Sequence, residues 1–157
     1  MSEEKKEVKR KMIFAKATAL NFCAIVVYPN QQNLRVCDIV ESDSIEEFIS
    51  DVEVLARKHK PELLHYECTV YLHECKDLRN ALHKDSIKVR GYKSEGTYMN
   101  RIVSQAYWIE NYVLVNDKFS DFIDKMMSFS TNDPDKTNIA LDVLSDATKY
   151  LRRYCFK

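Results

Sequence analysis

The chain of 157 residues has little glycine, and its two glycines, Gly91 and Gly96, both lie in the segment GYKSEGTYMNRI. They stand five positions apart, which is the glycine spacing of a phosphate-binding P-loop. That loop requires a lysine and then a serine or threonine directly after the second glycine, to contact the phosphates and the metal ion. Thr97 and Tyr98 follow Gly96 instead, so the sequence predicts no nucleotide site.

Other absences narrow the class of protein. Lysine and arginine together number 24, and aspartate and glutamate together also number 24. The formal net charge is therefore zero, and any contact with nucleic acid must depend on a local basic patch. No apolar run is as long as a membrane span, and the charged start MSEEKKEVKRKM contains no signal-peptide core. The five cysteines include no CxxC pair, which favours free thiols in a reducing compartment. We therefore expect a cytoplasmic protein with no membrane contact.

The composition is that of a globular domain, with 45% hydrophobic and 31% charged residues. The length suits one domain with a sizeable core. We expect residues 1–11 to form a charged tail and residues 12–157 to form a single domain.

The first part of the chain reads as strands. The segments MIFAKAT, CAIVVYP and LRVCDIVES are rich in β-formers and separated by short polar breaks, which predicts an antiparallel meander. The pattern then changes to a helical period in SIEEFISDVEVLARKH, which begins with a capping box of Ser44 and Glu47 and is stopped by Pro61.

Helices and strands alternate in the rest of the chain. The predicted order is a strand in ELLHYECTV, a helix in YLHECKDLRNALHK, a strand in SIKVRGY, a helix in TYMNRIVSQAYWIEN, a short strand in YVLVND, a helix in KFSDFIDKMMSF, the turn STNDPDKT and a last helix in NIALDVLSDATKYLRRY. The inward stripe of the TYMNRIVSQAYWIEN helix is predicted to be Met99, Ile102, Val103, Ala106 and Ile109. Three antiparallel strands followed by this alternation predict an α/β fold: an RNase H-like mixed sheet, flanked by helices.

Four stretches together resemble one protein family: CAIVVY, KHKPELLHYECTVY, GYKSEGTYMNRIVSQAYWIENYVLV and NIALDVLSDATKYL. They are similar to the C-terminal nuclease domain of phage terminase large subunits, over roughly residues 12 to 154. The resemblance implies metal-dependent endonucleolytic cleavage of concatemeric viral DNA during packaging, in the cytoplasm of an infected or lysogenic bacterium. It implies double-stranded DNA as a partner, and the terminase ATPase domain, small terminase or portal as further candidates.

The resemblance also implies an acidic cluster that holds two Mg²⁺ or Mn²⁺ ions for phosphodiester cleavage. Its carboxylates come from the first strand, the end of the fourth strand and the start of the last helix. Glu67 in HYECT matches the fourth-strand carboxylate, but the paired aspartates of the last helix are replaced by Asn138 and Ile139. Asp142 matches a further aspartate one turn later and shares a helix face with Asn138. The resemblance thus implies Glu67 and Asp142 as metal ligands, with Asn138 as a further catalytic residue.

The carboxylate of the first strand is missing. IFAKAT offers Ala15, Lys16 and Ala17 where relatives place an aspartate, and Asn21 falls near a second acidic position. Strand alternation suggests that Lys16 reaches toward the vacant position, where a cation would oppose metal binding. With Ala15 taken as the vacant position, Ala15→Asp together with Asn138→Asp is expected to rebuild the cluster.

A basic group surrounds the glycine segment. Lys88 and Arg90 point away from Ile87 and Val89 on the preceding strand, and Lys93 and Arg101 follow in the loop and helix. We predict that Lys88, Arg90, Lys93 and Arg101 contact DNA phosphates, the alternative being a solvated charged face.

Two functions remain open from the sequence. One is a metal-dependent DNA endonuclease, and the other is a catalytically inactive module that docks on DNA or on a protein partner. The count of carboxylates favours the second and the family resemblance favours the first. A zinc site within HYECTVYLHEC is a weaker alternative, because no CxxC or HxxxH pair supplies tetrahedral geometry.

Overall fold

The computed structural model describes residues 11–19, 21–29, 33–128 and 138–155. The strands are β1 Met12–Ala17, β2 Phe22–Pro29, β3 Leu34–Ser42, β4 Leu63–Glu67, β5 Val89–Tyr92 and β6 Val113–Val115. The helices are α1 Ile45–His59, α2 Leu72–His83, α3 Tyr98–Tyr112, α4 Ser120–Met127 and α5 Ile139–Cys155, with a 3-10 turn at Asp117–Phe119. Residues 1–10 of the predicted tail and the predicted turn STNDPDKT lie outside the described residues.

The strands form one mixed sheet in the order β5-β4-β1-β2-β3-β6. β1, β2 and β3 pair antiparallel as consecutive neighbours, whereas β4 lies parallel to β1, β5 parallel to β4, and β6 parallel to β3. The predicted mixed sheet is confirmed, including the meander and the short strand in YVLVND. Glu67 is the last residue of β4, and β4 runs parallel to the first strand.

Alternation along the strands separates two cores. On one face, Ala15 and Ala17 of β1 pack in a cluster with residues of α1 and α2, such as Phe48 and Leu78. On the other face, Phe14 packs in a cluster with residues of α3, α4 and α5. Because Lys16 lies two residues after Phe14, its side chain points to the face covered by α5.

The buried faces of the helices largely match the hydrophobic periodicity of the sequence. The buried residues of α1 are Phe48, Val52, Leu55 and Ala56, whose spacing matches the helical period of this segment. In α3, however, the predictions for Val103 and Ala106 are wrong, because both are exposed. The buried stripe of α3 is narrower and contains a polar residue, Gln105, whose amide oxygen accepts a hydrogen bond from Arg152 at 3.1 Å.

The glycine segment connects β5 to α3. Gly96 has a φ of +74°, a left-handed conformation that favours glycine, and it stands just before Thr97. Thr97 is the N-cap of α3, and its hydroxyl accepts a hydrogen bond from the backbone N–H of Asn100. The segment therefore turns the chain from the edge strand into a helix that covers the α5 side of the sheet. Among the described helices, none combines the length and the apolar character that a bilayer span requires.

The N-cap of α1 gives a test of the local structure. Ser44 accepts a hydrogen bond from the backbone N–H of Glu47, so Ser44→Ala is expected to lower the free energy of unfolding by about 1 kcal/mol, measured by urea denaturation. Ser50→Ala, at an exposed position within the same helix, is the matched control and should cost nothing measurable. An equal loss in both variants would contradict the capping role.

Candidate functional site

The candidate site lies where β1, β4 and β5 meet α5. Lys16 supplies its central group: the Nζ atom lies 3.0 Å from Asp142 Oδ2 and 3.1 Å from Asp146 Oδ2. It also donates a hydrogen bond of 2.7 Å to Ser94 Oγ. The side chains of Lys16 and Asp142 are each 3% exposed and that of Asp146 is 7% exposed. A buried ammonium thus lies between two carboxylates that are one helical turn apart.

Arg101 closes the same cluster from α3. Its Nε and one terminal nitrogen lie 2.9 and 3.0 Å from the two carboxylate oxygens of Asp142, in the parallel geometry that makes such pairs strong. Its other terminal nitrogen donates to the carbonyl of Gly96 at 2.7 Å. The hydrogen bond with Asp142 raises the pKa of Arg101 despite partial burial. Both oxygens of Asp142 are therefore occupied by cations.

Asp146 is held by hydroxyl groups as well as by Lys16. Tyr92 and Ser94 each donate a hydrogen bond of 2.8 Å to Asp146 Oδ2. Burial, together with the neighbouring Asp146 carboxylate, raises the pKa of Tyr92 well above its ordinary value, so the phenol stays a donor. Ser94 is close enough to Lys16 to resemble a serine–lysine nucleophile pair. The ammonium is a donor in that contact and is shared by two carboxylates, so Lys16 does not act as a base toward the serine.

Glu67 stands beside this cluster on the same sheet face. It is 4% exposed, pairs with Tyr92 across the β4–β5 ladder and accepts a hydrogen bond from the hydroxyl of Thr69. Its charge acts on both Tyr92 and Arg101. Within the described ranges, Glu67 forms no ion pair. It is thus the carboxylate of the site that is not matched by a cation.

The fold is similar to the folds of several viral proteins. The fowlpox virus Holliday junction resolvase superposes with a TM-score of 0.60 at 14% identity, covering 91% of this chain and 98% of that chain. The human cytomegalovirus terminase nuclease domain, soaked with Mn, gives a TM-score of 0.65 at 8% identity, covering 91% and 82%. The large terminase of a thermophilic bacteriophage gives 0.62 at 12% identity, covering 95% of this chain and 40% of that chain. The chain has an RNase H-like fold. The sequence itself matches no family model and no curated protein.

The resemblance to terminase nuclease domains is thereby confirmed for the fold. The acidic cluster that the resemblance implies can be compared with the observed positions of the side chains. A two-ion site needs carboxylate oxygens facing one another with no cation between them. Here the Lys16 ammonium occupies the space between Asp142 and Asp146, and Arg101 covers the rest of Asp142. Among the described residues, no group of three or more His, Cys, Asp or Glu could hold a metal ion. In this arrangement the residues present do not fit the two ions that the resemblance implies.

The assignment of the vacant position on β1 needs correction. Ala15 is fully buried in the cluster on the opposite face, against α1 and α2. Ala15→Asp would therefore place a carboxylate in an apolar core and could not rebuild the site. Lys16, like Phe14, lies on the face of β1 that α5 covers, and its Nζ atom contacts Asp142 at 3.0 Å.

The side chain of Asn138 makes two hydrogen bonds at the start of α5. Its amide oxygen accepts a hydrogen bond of 3.0 Å from the N–H of Leu141, and its amide nitrogen donates to the carbonyl of Lys125. Its assignment as a catalytic residue stays a prediction, as do the roles of Glu67 and Asp142 as metal ligands. Asn21 closes the β1–β2 connection through its backbone, which bonds to Thr18.

The predicted DNA-binding residues separate into two groups. Lys88, just before β5, Arg90 within it and Lys93 just after it are exposed, whereas Arg101 points inward to Asp142 and is 16% exposed. Lys93 lines a cleft of about 150 Å³ together with two residues that sequence reasoning missed, Lys149 and Arg153. A second cleft of about 290 Å³ adjoins it and has Arg101 and Asp146 in its wall.

A helical pattern in α5 could have revealed the missed residues. Asp142, Asp146, Lys149 and Arg153 follow one another at i, i+4, i+7 and i+11, so they share one face of the helix. Asp142 and Asp146 are shielded within the ion-pair cluster, while Lys149 and Arg153 are exposed. The face therefore passes from buried acids to exposed bases along its length.

His65 lies beneath the site on the same face of β4. Its ring stacks on Phe14 with centroids 4.3 Å apart and packs against Tyr150 at 4.4 Å. The Nε2 atom is buried and has no hydrogen-bond partner. Burial, together with the positive charge of Arg90, lowers the pKa of His65 to about 4. The ring is therefore neutral at physiological pH.

This lowered pKa predicts a loss of stability in acid. An unfolded chain protonates His65 as the pH falls below about 6.5, while the folded chain resists until about pH 4. The free energy of unfolding should fall by up to about 1.4 kcal/mol for each pH unit between these limits because of this group. His65→Phe should flatten that part of the curve, measured by urea unfolding at several pH values. His83→Gln, at an exposed position, is the control and should keep the wild-type curve; a curve unchanged in His65→Phe would contradict the assignment.

Proposed function

We propose that this chain is a catalytically inactive RNase H-like module that docks on double-stranded DNA through the phosphate backbone. The observation that carries the proposal is the Lys16 ammonium between Asp142 and Asp146. The relatives by fold are named as terminase nuclease domains and as a Holliday junction resolvase, which supports DNA as the ligand class. The endonuclease that the family resemblance implies is the competing outcome of the tests below.

The electrostatics of the cluster argue against metal-dependent cleavage. Two cations, Lys16 and Arg101, face three carboxylates, Glu67, Asp142 and Asp146, so one formal negative charge is left. A divalent ion would have to displace a buried ammonium from contacts of 3.0 and 3.1 Å. Such an ammonium has already lost its hydration, and separating it from its partners leaves uncompensated buried charge. The site thus supports a structural ion-pair cluster better than a metal centre.

The basic surface next to the cluster supports the proposed docking on double-stranded DNA. Lys88, Arg90 and Lys93 lie exposed on β5 and on either side of it, and Lys149 and Arg153 add two charges from α5. Lys149 pairs with Glu95 at 2.9 Å, but an exposed pair of this kind is weak and open to exchange for a phosphate. A row of lysine and arginine side chains recognises the backbone of a duplex without reading its sequence.

Substitution of Lys16 tests the inactive state directly. The unmodified protein should not nick supercoiled plasmid DNA in Mg²⁺ or Mn²⁺. Lys16→Asp should lose about 3–5 kcal/mol of stability without metal, because it removes the cation from a buried ion-pair cluster. Added Mn²⁺ should then raise its melting temperature, since the new carboxylate would stand beside Glu67 and α5.

Lys16→Asn is the matched control, as it removes the ammonium without adding a carboxylate. Added Mn²⁺ should raise the melting temperature of Lys16→Asn less than that of Lys16→Asp. Glu67→Gln, introduced into the Lys16→Asp variant, should reduce the rise in melting temperature. Metal-dependent nicking by the unmodified protein would overturn the proposal. A folded Lys16→Asp variant with no response to Mn²⁺ would show that Lys16 is not what blocks the metal.

The salt dependence of binding tests the docking surface. Affinity for a random-sequence duplex, followed by fluorescence anisotropy, should fall linearly with the logarithm of salt concentration. The double variant Arg90→Ala, Lys93→Ala should reduce that slope by about two, since each contact contributes about one. The matched control is Lys76→Ala with Lys84→Ala, two exposed lysines of α2 and its C-cap, which packs on the opposite sheet face. Equal slopes in both double variants would assign Arg90 and Lys93 to a solvated face.

A further inference from the structure

Two cysteines lie close together at the end of β4, directly after Glu67. Cys68 is the first residue beyond the strand, and Cys75 is in the first turns of α2. Their Sγ atoms are 3.2 Å apart, and both are free thiols. The zinc alternative does not explain this contact, because no third ligand accompanies the pair among the described residues.

The backbone holds both thiols in this position. The N–H of Cys68 donates to the carbonyl of Tyr92 at 2.7 Å, and the N–H of Cys75 donates to the carbonyl of Tyr71 at 3.1 Å. Gly91 provides the space, since a Cβ atom at this position would lie 2.5 Å from Cys68 Sγ. A larger residue at position 91 would force the Cys68 thiol out of its place.

The two thiols differ in access. Cys75 is 3% exposed, whereas Cys68 is half-buried. Burial, followed by the hydrogen bond with Cys68, raises the pKa of Cys75 to about 12. A dissolved reagent therefore meets Cys68 first, and Cys75 stands behind it as the second thiol.

We propose that Cys68 and Cys75 are a modification site that closes to an intramolecular disulfide when the protein meets a small-molecule disulfide of the oxidised glutathione type. The Cys68 thiolate attacks one sulfur of the reagent, its S–S bond breaks, and one glutathione leaves as a thiolate that takes up the proton. Cys75 then loses its proton to solvent and attacks Cys68 Sγ, which expels the second glutathione. Two protein thiols are oxidised and one reagent disulfide is reduced to two thiols.

The crosslink would tie the end of β4 to α2. It would enclose residues 69–74, a segment that includes Thr69, whose hydroxyl bonds to Glu67. Closing a loop of this length lowers the entropy of the unfolded chain, so the melting temperature should rise by about 5–10 °C. The inference does not depend on the proposed function, since it concerns the sulfur atoms alone.

Mass spectrometry after incubation with oxidised glutathione tests the proposal. Trypsin should release both cysteines in the single peptide HKPELLHYECTVYLHECK, because Lys60 precedes a proline. In the wild type this peptide should lose the mass of two hydrogen atoms and carry no glutathione, and dithiothreitol should reverse the change. Cys75→Ser should instead accumulate glutathione on Cys68, while Cys68→Ser should react slowly or not at all.

Gly91→Ala is the matched control that keeps both thiols. It should slow closure and allow the glutathione adduct on Cys68 to accumulate, as in Cys75→Ser. Should this variant fail to fold, the two serine variants still decide the matter. Accumulation of the adduct in the wild type, absence of any reaction, or equal reaction of Cys68→Ser would each overturn the proposal.

Discussion

The packing on the sheet face that carries the candidate site depends on one buried ammonium group. Lys16 projects from the middle of the sheet and joins β1 to α5 through Asp142 and Asp146. None of these three groups could be buried alone, because an isolated charge in the interior costs several kcal/mol. Their burial is possible only together, with Ser94, Tyr92 and Arg101 supplying the remaining hydrogen bonds. The packing of α3 and α5 against the sheet is thus coupled to this cluster.

Under the proposed function, the same cluster explains how a chain with this fold lacks metal-dependent cleavage. An acidic site and an ion-pair cluster can occupy one position of an RNase H-like sheet, since both satisfy buried carboxylates with positive charge. A divalent ion leaves open coordination positions for substrate, whereas an ammonium uses its protons on its partners. Under the proposed function, a lysine on β1 in place of the carboxylate that the resemblance implies keeps the stabilisation and leaves no room for the ions. Similar backbones carry different functions for this reason.

Much of the fold could be predicted from the sequence, because hydrophobic period distinguishes strands from helices and the chain has short connections. The position of Glu67 at the end of β4 was implied by the family resemblance, because the pattern alone predicted a strand that continues through ELLHYECTV. The residue of β1 that faces the site could not be predicted from this pattern. Ala15 and Lys16 differ by one residue but face opposite cores, and sequence alone does not fix the register of a short strand to that accuracy. The inward turn of Arg101 was equally hidden, because its partner Asp142 lies 41 residues further along the chain. Helical periodicity does not tell which helices meet, so polar residues buried by long-range pairing are the part of a fold that local patterns miss.

Helix α5 carries both buried acids that are paired with cations and exposed bases. Its acids, Asp142 and Asp146, lie in the first half of the helix, and its bases, Lys149 and Arg153, lie in the second half. This order suits the helix dipole, which favours negative charge near the N-terminus and positive charge near the C-terminus. The acids are paired with Lys16 and Arg101, so they do little to repel a phosphate at the outer cleft. A zero net charge for the whole chain is therefore compatible with the proposed DNA-docking surface, because the acids of α5 are paired inside with Lys16 and Arg101.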